Sequence, residues 1–216
     1  MSVRDVSIDP LLLKSAREEF LEKGYLDSSV HEICRRAGVT TGALYKRYKS
    51  KADLFSAVVS DAVELLNDIS RKALEQDTAG MSDEELLAPF FSVEKCMLEW
   101  FRFLESVRDE FTILVRGSAG SAYSNFRHEL AVKMMENDYR YLQEAQRRGL
   151  ARQDVDKKEF HVIISSYWEL FCEPFAHEMT WEEMKHHCEI ASKMIDWPRA
   201  MKIRRVRRCR ERQSGK

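Results

Sequence analysis

The chain has 216 residues, 44% of them hydrophobic and 33% charged, with eight glycines and four prolines. That length can bury a full core without disulfide or metal staples, and the balance excludes a disordered chain and a glycine-rich β-sandwich or barrel. A formal net charge of −1 hides a segregation: residues 1–55 carry ten Lys and Arg against eight Asp and Glu, residues 56–201 carry 17 against 27, and residues 202–216 carry eight against one.

Polyanions bind where Lys and Arg gather, so this distribution points to the two ends of the chain. No stretch approaches the roughly 20 uninterrupted apolar residues of a membrane-spanning helix, and the N-terminus lacks a charged-then-apolar secretory pattern. A cytoplasmic protein with no membrane partner is expected. The five cysteines, Cys34, Cys96, Cys172, Cys188 and Cys209, are odd in number and never form a C-x-x-C pair, which indicates neither a disulfide framework nor a zinc site.

In chain order, helices are predicted near 9–23, 29–36, 40–48, 51–76, 83–88, 91–116, 122–148, 157–176 and 181–196. Asp9-Pro10 opens the first, because proline suits the first helical position, where its missing N–H had no partner. Leu12, Ala16 and Phe20 form its apolar stripe and Gly24 ends it. Five later starts carry a capping residue followed three positions on by an acid: Ser29 and Glu32, Ser50 and Asp53, Ser82 and Glu85, Asp156 and Glu159, Thr180 and Glu183. Stops fall at Gly38, between Gly117 and Gly120, at Gly149, and before Pro198. Pro89 should break or redirect the chain, and Pro174 should kink or end its helix. No strand pattern competes, so the expected class is all-α.

The informative segment runs from Ser28 to Phe55. A short helix carries Val30, Ile33, Cys34 and Ala37 inward, meets the tight turn Ala37-Gly38-Val39, and passes into a second helix begun by Thr40. That is a helix-turn-helix, with Gly38 in the left-handed turn position, Val39 plugging the angle, and Leu44 and Tyr48 facing inward. Thr41, Gly42, Tyr45, Lys46 and Arg47 are left outward. Small residues let a backbone approach base edges, hydroxyls and Lys reach bases, and Tyr45 reaches a phosphate or a thymine methyl. From Cys34 to Ser50 there is no acid, against the basic Arg35, Arg36, Lys46, Arg47 and Lys49. A merely solvated face would mix both signs.

The spaced pattern Phe20-Leu21-Glu22-Lys23-Gly24-Tyr25, Ser28-Ser29-Val30-x-x-Ile33, Ala37-Gly38-Val39-Thr40-x-Gly42-x-Leu44-Tyr45-x-x-Tyr48-x-Ser50-Lys51-x-x-Leu54-Phe55 resembles the N-terminal domain of the tetracycline-repressor (TetR/AcrR) family. The resemblance implies a helix-turn-helix domain over 1–55, a helical effector-binding and dimerisation domain over 56–198, and a basic tail over 199–216. It implies operator-DNA contacts from Ser29, Thr40, Thr41, Gly42, Tyr45, Lys46, Arg47, Tyr48 and Lys51, with Lys51 gripping a phosphate. His31 is an unusual outward residue for that pattern. The implied function is a homodimeric, sequence-specific transcription regulator, a repressor released by a small-molecule effector, with activation left open. Control by a protein partner, or by oxidation of Cys34 or Cys209, is the alternative.

Beyond residue 55 no motif is specific. Sixteen of the 22 aromatic residues lie between Phe90 and Trp181. Phe91, Trp100, Phe103, Phe111, Phe126, Tyr139, Tyr167 and Trp168 are the candidate lining of an effector pocket, although each ring taken alone is more simply explained as core. Apolar stripes on 157–176 (Phe160, Ile163, Ile164, Tyr167, Leu170, Phe171) and 181–196 (Met184, Cys188, Ile190, Ala191, Met194, Ile195) can pair with symmetry mates. His186-His187-Cys188, with Glu182 one turn earlier, invites a metal reading, but no second ligand cluster matches it, and no metal or cofactor is expected. Without a Gly-rich phosphate loop, a G-x-S-x-G elbow or a paired-carboxylate signature, an enzyme is not expected either. The run Lys202 to Arg212 is too charged to pack; it binds nucleic acid without sequence preference, pairs with the acidic body, or serves solubility.

Overall fold

A computed structural model describes residues 8–203; the arginine-rich run from Arg204 onward and Cys209 lie outside the described residues. The helices are α1 (Ile8–Asp27), α2 (Val30–Ala37), α3 (Thr41–Tyr45), α4 (Lys51–Leu74), α5 (Asp83–Phe91), α6 (Val93–Leu104), α7 (Arg108–Arg116), α8 (Phe126–Arg147), α9 (Lys157–Ala176), α10 (Trp181–Met194) and α11 (Trp197–Ala200), with a 3-10 turn at Glu105–Val107. Among the described residues there is no strand, and the fold is all-α.

All five predicted caps are present. Ser29, Ser50, Ser82, Asp156 and Thr180 each accept a hydrogen bond from the backbone N–H three residues on. In α5 and α10 the glutamate also reaches back, closing full capping boxes. The helix predicted over 91–116 is three pieces instead. Ser92 leaves helical geometry at φ −124° and ψ 36°, and the chain tightens into the 3-10 turn before α7. Each break redirects the apolar face, which lets Phe101 and Phe111 both reach the same ring, Phe175. Pro89 lies in the last turn of α5, and Pro174 in the last turn of α9, which stops two residues later.

Helices α1 to α3 and the first turns of α4 close around Leu12, Ala16, Phe20, Ile33, Leu44, Leu54 and Phe55. The residue-55 boundary falls inside a helix, since α4 continues without interruption to Leu74. At 1.5 Å per residue its 24 residues span about 36 Å, so one rigid rod joins the first three helices to the rest of the bundle. There α8 packs on α9, α6 packs on α10, and α7 lies against α1, α4 and α9.

A second junction is made by two glycines. Gly24 holds φ +69°, ending the regular part of α1, and Tyr25 N–H donates to the Gly117 carbonyl at 2.7 Å. A Cβ on Gly117 would meet the Gly24 Cα at 3.1 Å, tighter than ordinary side-chain contact, so the two backbones touch closely where glycines stand. Arg116 donates to the Leu21 carbonyl at 2.7 Å, and Arg17 pairs with Glu110 at 2.7 Å across the same seam.

The apolar stripes of α9 and α10 are largely taken by the protomer's own core. Phe160, Ile164, Phe171, Met184, Cys188 and Ala191 are buried, and Ile163, Tyr167, Leu170 and Ile195 pack partly against them. Val162, Ile190 and Met194 are left exposed. The reason is geometric: an apolar stripe wider than one contact line meets its own bundle first.

Candidate functional site

Two places bring chemistry together: the outer side of α2 and α3, and a cavity in the larger bundle. In the first, Gly38 adopts φ 66° and ψ 29°, and its N–H and that of Val39 return to the carbonyls of Arg35 and Cys34, capping α2. Thr40 caps α3, its hydroxyl accepting from Ala43 N–H at 3.2 Å. Leu44 is fully buried and anchors α3, while Tyr45 is 51% exposed and Gly42 and Lys46 are exposed beside it. Thr41 and Tyr48 are half-buried, and Ser29 is occupied as the α2 cap and as a donor to Glu19 at 3.0 Å.

Three basic residues are placed differently from the sequence expectation. The Arg47 side chain, expected outward, is only 8% exposed; its guanidinium pairs with Asp9 of α1 and donates to the Ala43 carbonyl at 3.1 Å. It ties α3 to α1. Arg35 and Arg36 turn toward the acids Glu32 and Glu22, and Arg36 also lies 3.2 Å from the buried Glu19 carboxylate. Hydrogen bonds from Arg35 and then Arg36 hold Glu32 down at about 2, so these pairs stay ionised. The acid-free run therefore borrows its counter-charges from α1 and the start of α2, and the exposed cations near α3 are Lys46 and Lys49.

Lys51 donates to the carbonyls of Ser28 at 2.9 Å and Leu26 at 3.2 Å, and lies 4.7 Å from the centre of the Tyr25 ring. Burial pulls its pKa below the usual lysine value, countered by Asp27 and Glu19. The ammonium thus fixes the approach to α2 from the first turn of α4.

The cavity, about 250 Å³, lies between α4, α6, α8 and α9. Of the rings singled out from sequence, Trp100, Tyr167 and Trp168 line it. The others are elsewhere. Phe111 and Phe126 are core rings packed 6.0 Å apart, Phe103 meets Trp100 edge to face, Tyr139 leans on Phe160 without lining the cavity, and Phe91 borders a separate open groove with Arg102 and Lys193.

Sequence reasoning missed the polar lining. Asn137, Asp138 and Tyr141 of α8 face the cavity with Gln76, whose side-chain oxygen accepts from the Tyr141 hydroxyl. A signal existed: Met134, Asn137-Asp138 and Tyr141 follow helical spacing, so polar residues interrupt an apolar stripe. Asp138 is enclosed by protein, its remaining accessible surface turned to the cavity, and burial raises its carboxyl from 3.8 to about 7. The Trp168 indole beside it pulls the other way, yet its N–H has no hydrogen-bond partner of good geometry. The Asn137 side-chain oxygen also lacks a partner, although the residue is only 7% exposed.

The His186-His187-Cys188 segment makes no ligand cluster: His187 Nε2 sits 2.9 Å from the Leu170 carbonyl, and Cys188 is buried. Among the described residues no helix is long and apolar enough to cross a membrane.

Residues 12–58 match the model of the bacterial regulatory proteins of the tetR family. That match runs from α1 through α3 into the first turns of α4. It is 39% identical over 67 residues to the HTH-type transcriptional activator FasR of Mycolicibacterium smegmatis, a match covering 31% of each chain. To the uncharacterized HTH-type transcriptional regulator YdgC of Bacillus subtilis it is 24% identical over 158 residues, 72% of this chain and 74% of the other. The match thus spans about a third of FasR and three quarters of YdgC. At 20% identity the fold is shared with SmeT in a SmeT–triclosan complex, with a TM-score of 0.60 over 92% of each chain. The family resemblance in sequence thus lies in the N-terminal segment, and the likeness to SmeT extends over the fold of the whole chain.

Proposed function

We propose that this chain is a regulator of the tetR family, a homodimeric DNA-binding protein whose α2–α3 unit reads operator DNA and whose cavity takes a small-molecule effector. One observation carries the DNA reading. The exposed end of α3 offers Gly42, Tyr45 and Lys46 on a helix anchored by buried Leu44, and the acids Glu32, Glu22 and Asp9 of α1 and α2 are engaged by Arg35, Arg36 and Arg47. Such a surface approaches a major groove without carboxylate repulsion.

Two copies paired through α9 and α10 would present two such helices about 34 Å apart, one turn of DNA. Exposed Val162, Ile190 and Met194 are the apolar residues available for that seam. Effector control is supported by α4: Leu54 and Phe55 belong to the core around α1 to α3, while Ile69 and Ala73 on the same helix line the cavity. A ligand with unequal affinity for two α4 positions shifts the spacing of the readers. Repression relieved by ligand is the outcome this coupling gives when the unliganded spacing fits the operator. Oxidation control through Cys34 is disfavoured, because burial pushes that thiol above its usual pKa and starves it of thiolate.

The test is selection of bound sites from a random duplex library, followed by anisotropy titration on the selected site. Tyr45→Ala with Lys46→Ala should weaken specific binding at least 100-fold at unchanged thermal stability, because two base-edge or phosphate contacts are lost, roughly 1–3 kcal/mol each. Specific binding retained by the double variant would refute the assignment of α3 as reader.

A further inference from the structure

We infer that the cavity takes a small organic cation, an amine on an apolar body, with its ammonium held by Asp138 and Asn137 and its carbon skeleton against Trp100, Tyr167 and Trp168. The inference rests on reading the cavity as an effector site and names the chemistry of the effector.

Charge decides the sign of the ligand. Asp138 is the one carboxylate among the lining residues, and no Lys, Arg or His joins it. An organic acid would meet a like charge there and no cation, whereas an ammonium finds a counter-charge where water is scarce. Hydrogen-bonding capacity agrees. Asn137 spends its amide N–H on Ser70 Oγ at 3.4 Å and leaves its oxygen without a donor, and the Asp138 carboxyl has only the misaligned Trp168 indole. Two adjacent acceptors on α8 therefore await N–H donors, and a buried acceptor left unsatisfied costs about 1–3 kcal/mol. A protonated amine supplies both N–H groups and the positive charge.

The walls fit the rest of such a molecule. Trp100 and Trp168 meet edge to face at 5.1 Å, and Tyr167 packs 6.3 Å from Trp168, so ring faces and edges enclose the acceptor pair. Aromatic faces attract cations and accept apolar bodies alike. A volume of about 250 Å³ suits a ligand at or below the small end of drug-sized molecules.

The pH response follows from the groups facing Asp138. Cys96 of α6, Tyr141 of α8 and Tyr167 of α9 are all pushed up by burial and stay neutral near pH 7. The lining residues from α4, α5 and α11 carry no ionisable side chain. Only Asp138, at about 7, titrates in the working range, and a cation binds its charged form.

The experiment is calorimetric titration of the full chain with 1-naphthylmethylamine, the neutral 1-naphthylmethanol and the anionic 1-naphthoate, in the parent protein and in Asp138→Asn. At pH 8 the amine should bind at least tenfold more tightly than the alcohol, and Asp138→Asn should erase that preference while keeping alcohol binding, which reports an intact cavity. In the parent protein the amine should bind about tenfold more weakly at pH 6 than at pH 8, with the alcohol unaffected. The pH comparison decides the matter alone if the variant does not fold. Alcohol or naphthoate binding as tightly as the amine, a preference that survives Asp138→Asn, or equal amine affinity at pH 6 and 8 overturns the cation assignment while leaving a ligand cavity. No binding by any of the three at millimolar concentration overturns both.

Discussion

Arg47 and Tyr45 lie two positions apart and are placed oppositely, one packed inward and one exposed. Arg47 is enclosed by α1 and α3, and its charge is matched by Asp9. Removing one partner of such a pair leaves the other uncompensated, so Arg47→Ala should lower stability by roughly 1–3 kcal/mol, seen as a reduced Tm, and weaken DNA binding only through the fold. Tyr45→Ala, at an exposed position, should leave Tm within the scatter of surface substitutions, about 0.5 kcal/mol, and act on DNA affinity. Asp138 gives a prediction with a pH sign. Its carboxyl titrates near 7 in the folded state against 3.8 as its ordinary value, so between those values the folded chain holds the extra proton. Stability therefore declines as pH rises from about 4 to about 7, and the full penalty stands above 7. Asp138→Asn, which cannot ionise, should match the parent near pH 4 and exceed it at pH 8 by up to about 4 kcal/mol, read from denaturant melts at both pH values.

Among elements, α4 and α7 matter most. The C-terminal end of α4 is gripped by Arg140 of α8, which donates to the carbonyls of Ala73, Leu74 and Gln76 at 3.2, 2.6 and 2.7 Å. Arg148, one helix face further on, holds the carbonyls of Thr78, Ala79 and Met81. Two arginines thus satisfy the orphan carbonyls that a helix end and loop would otherwise leave to solvent. Both flank the cavity-lining face of α8, so α4 and the polar lining are mechanically joined. At the other junction a methyl group on Gly117 would sit 3.1 Å from the Gly24 Cα, closer than ordinary contact, so the backbones must give by a few tenths of an ångström. Gly117→Ala should force α1 and α7 apart and lower stability by about 1–3 kcal/mol. Hydrogen exchange should then show faster exchange at the Tyr25 amide, which donates to the Gly117 carbonyl; an unchanged rate would mean that the seam yields without opening.

For the proposed dimer, the decisive quantity is the spacing of its two α3 helices, which the protomer alone does not set. The exposed apolar residues of α9 and α10 are few, and Met194 is 76% exposed. Charges placed there by Ile190→Glu with Met194→Glu should disrupt pairing without touching the protomer core. The expected result is a monomer in sedimentation analysis with unchanged helical content, and loss of tight binding to a two-half-site DNA, since each monomer then engages one half-site alone. A dimer that persists would place the seam on another face.

Local chemistry was written in the sequence. Five capping pairs, the Gly38 turn and the 3.6-residue stripes located most helices and the helix-turn-helix, because each depends on residues within one or two turns of one another. The many-position pattern from Phe20 to Phe55 carried the family resemblance for the same reason. Everything that depends on residues distant in the chain was decided by packing. The Arg47–Asp9 pair spans 38 positions, the contact of Gly24 with Gly117 spans 93, and neither leaves a periodic trace. Aromatic content marked the body as rich in rings but could not separate Trp100, Tyr167 and Trp168 at the cavity from Phe111 and Phe126 in the core, since all are apolar at helical spacing. The acceptor pair on α8 gained its meaning only when α4, α6 and α9 closed around it. Burial of Asp138 is a property of four helices together, and that burial gives the cavity its preference for positive charge.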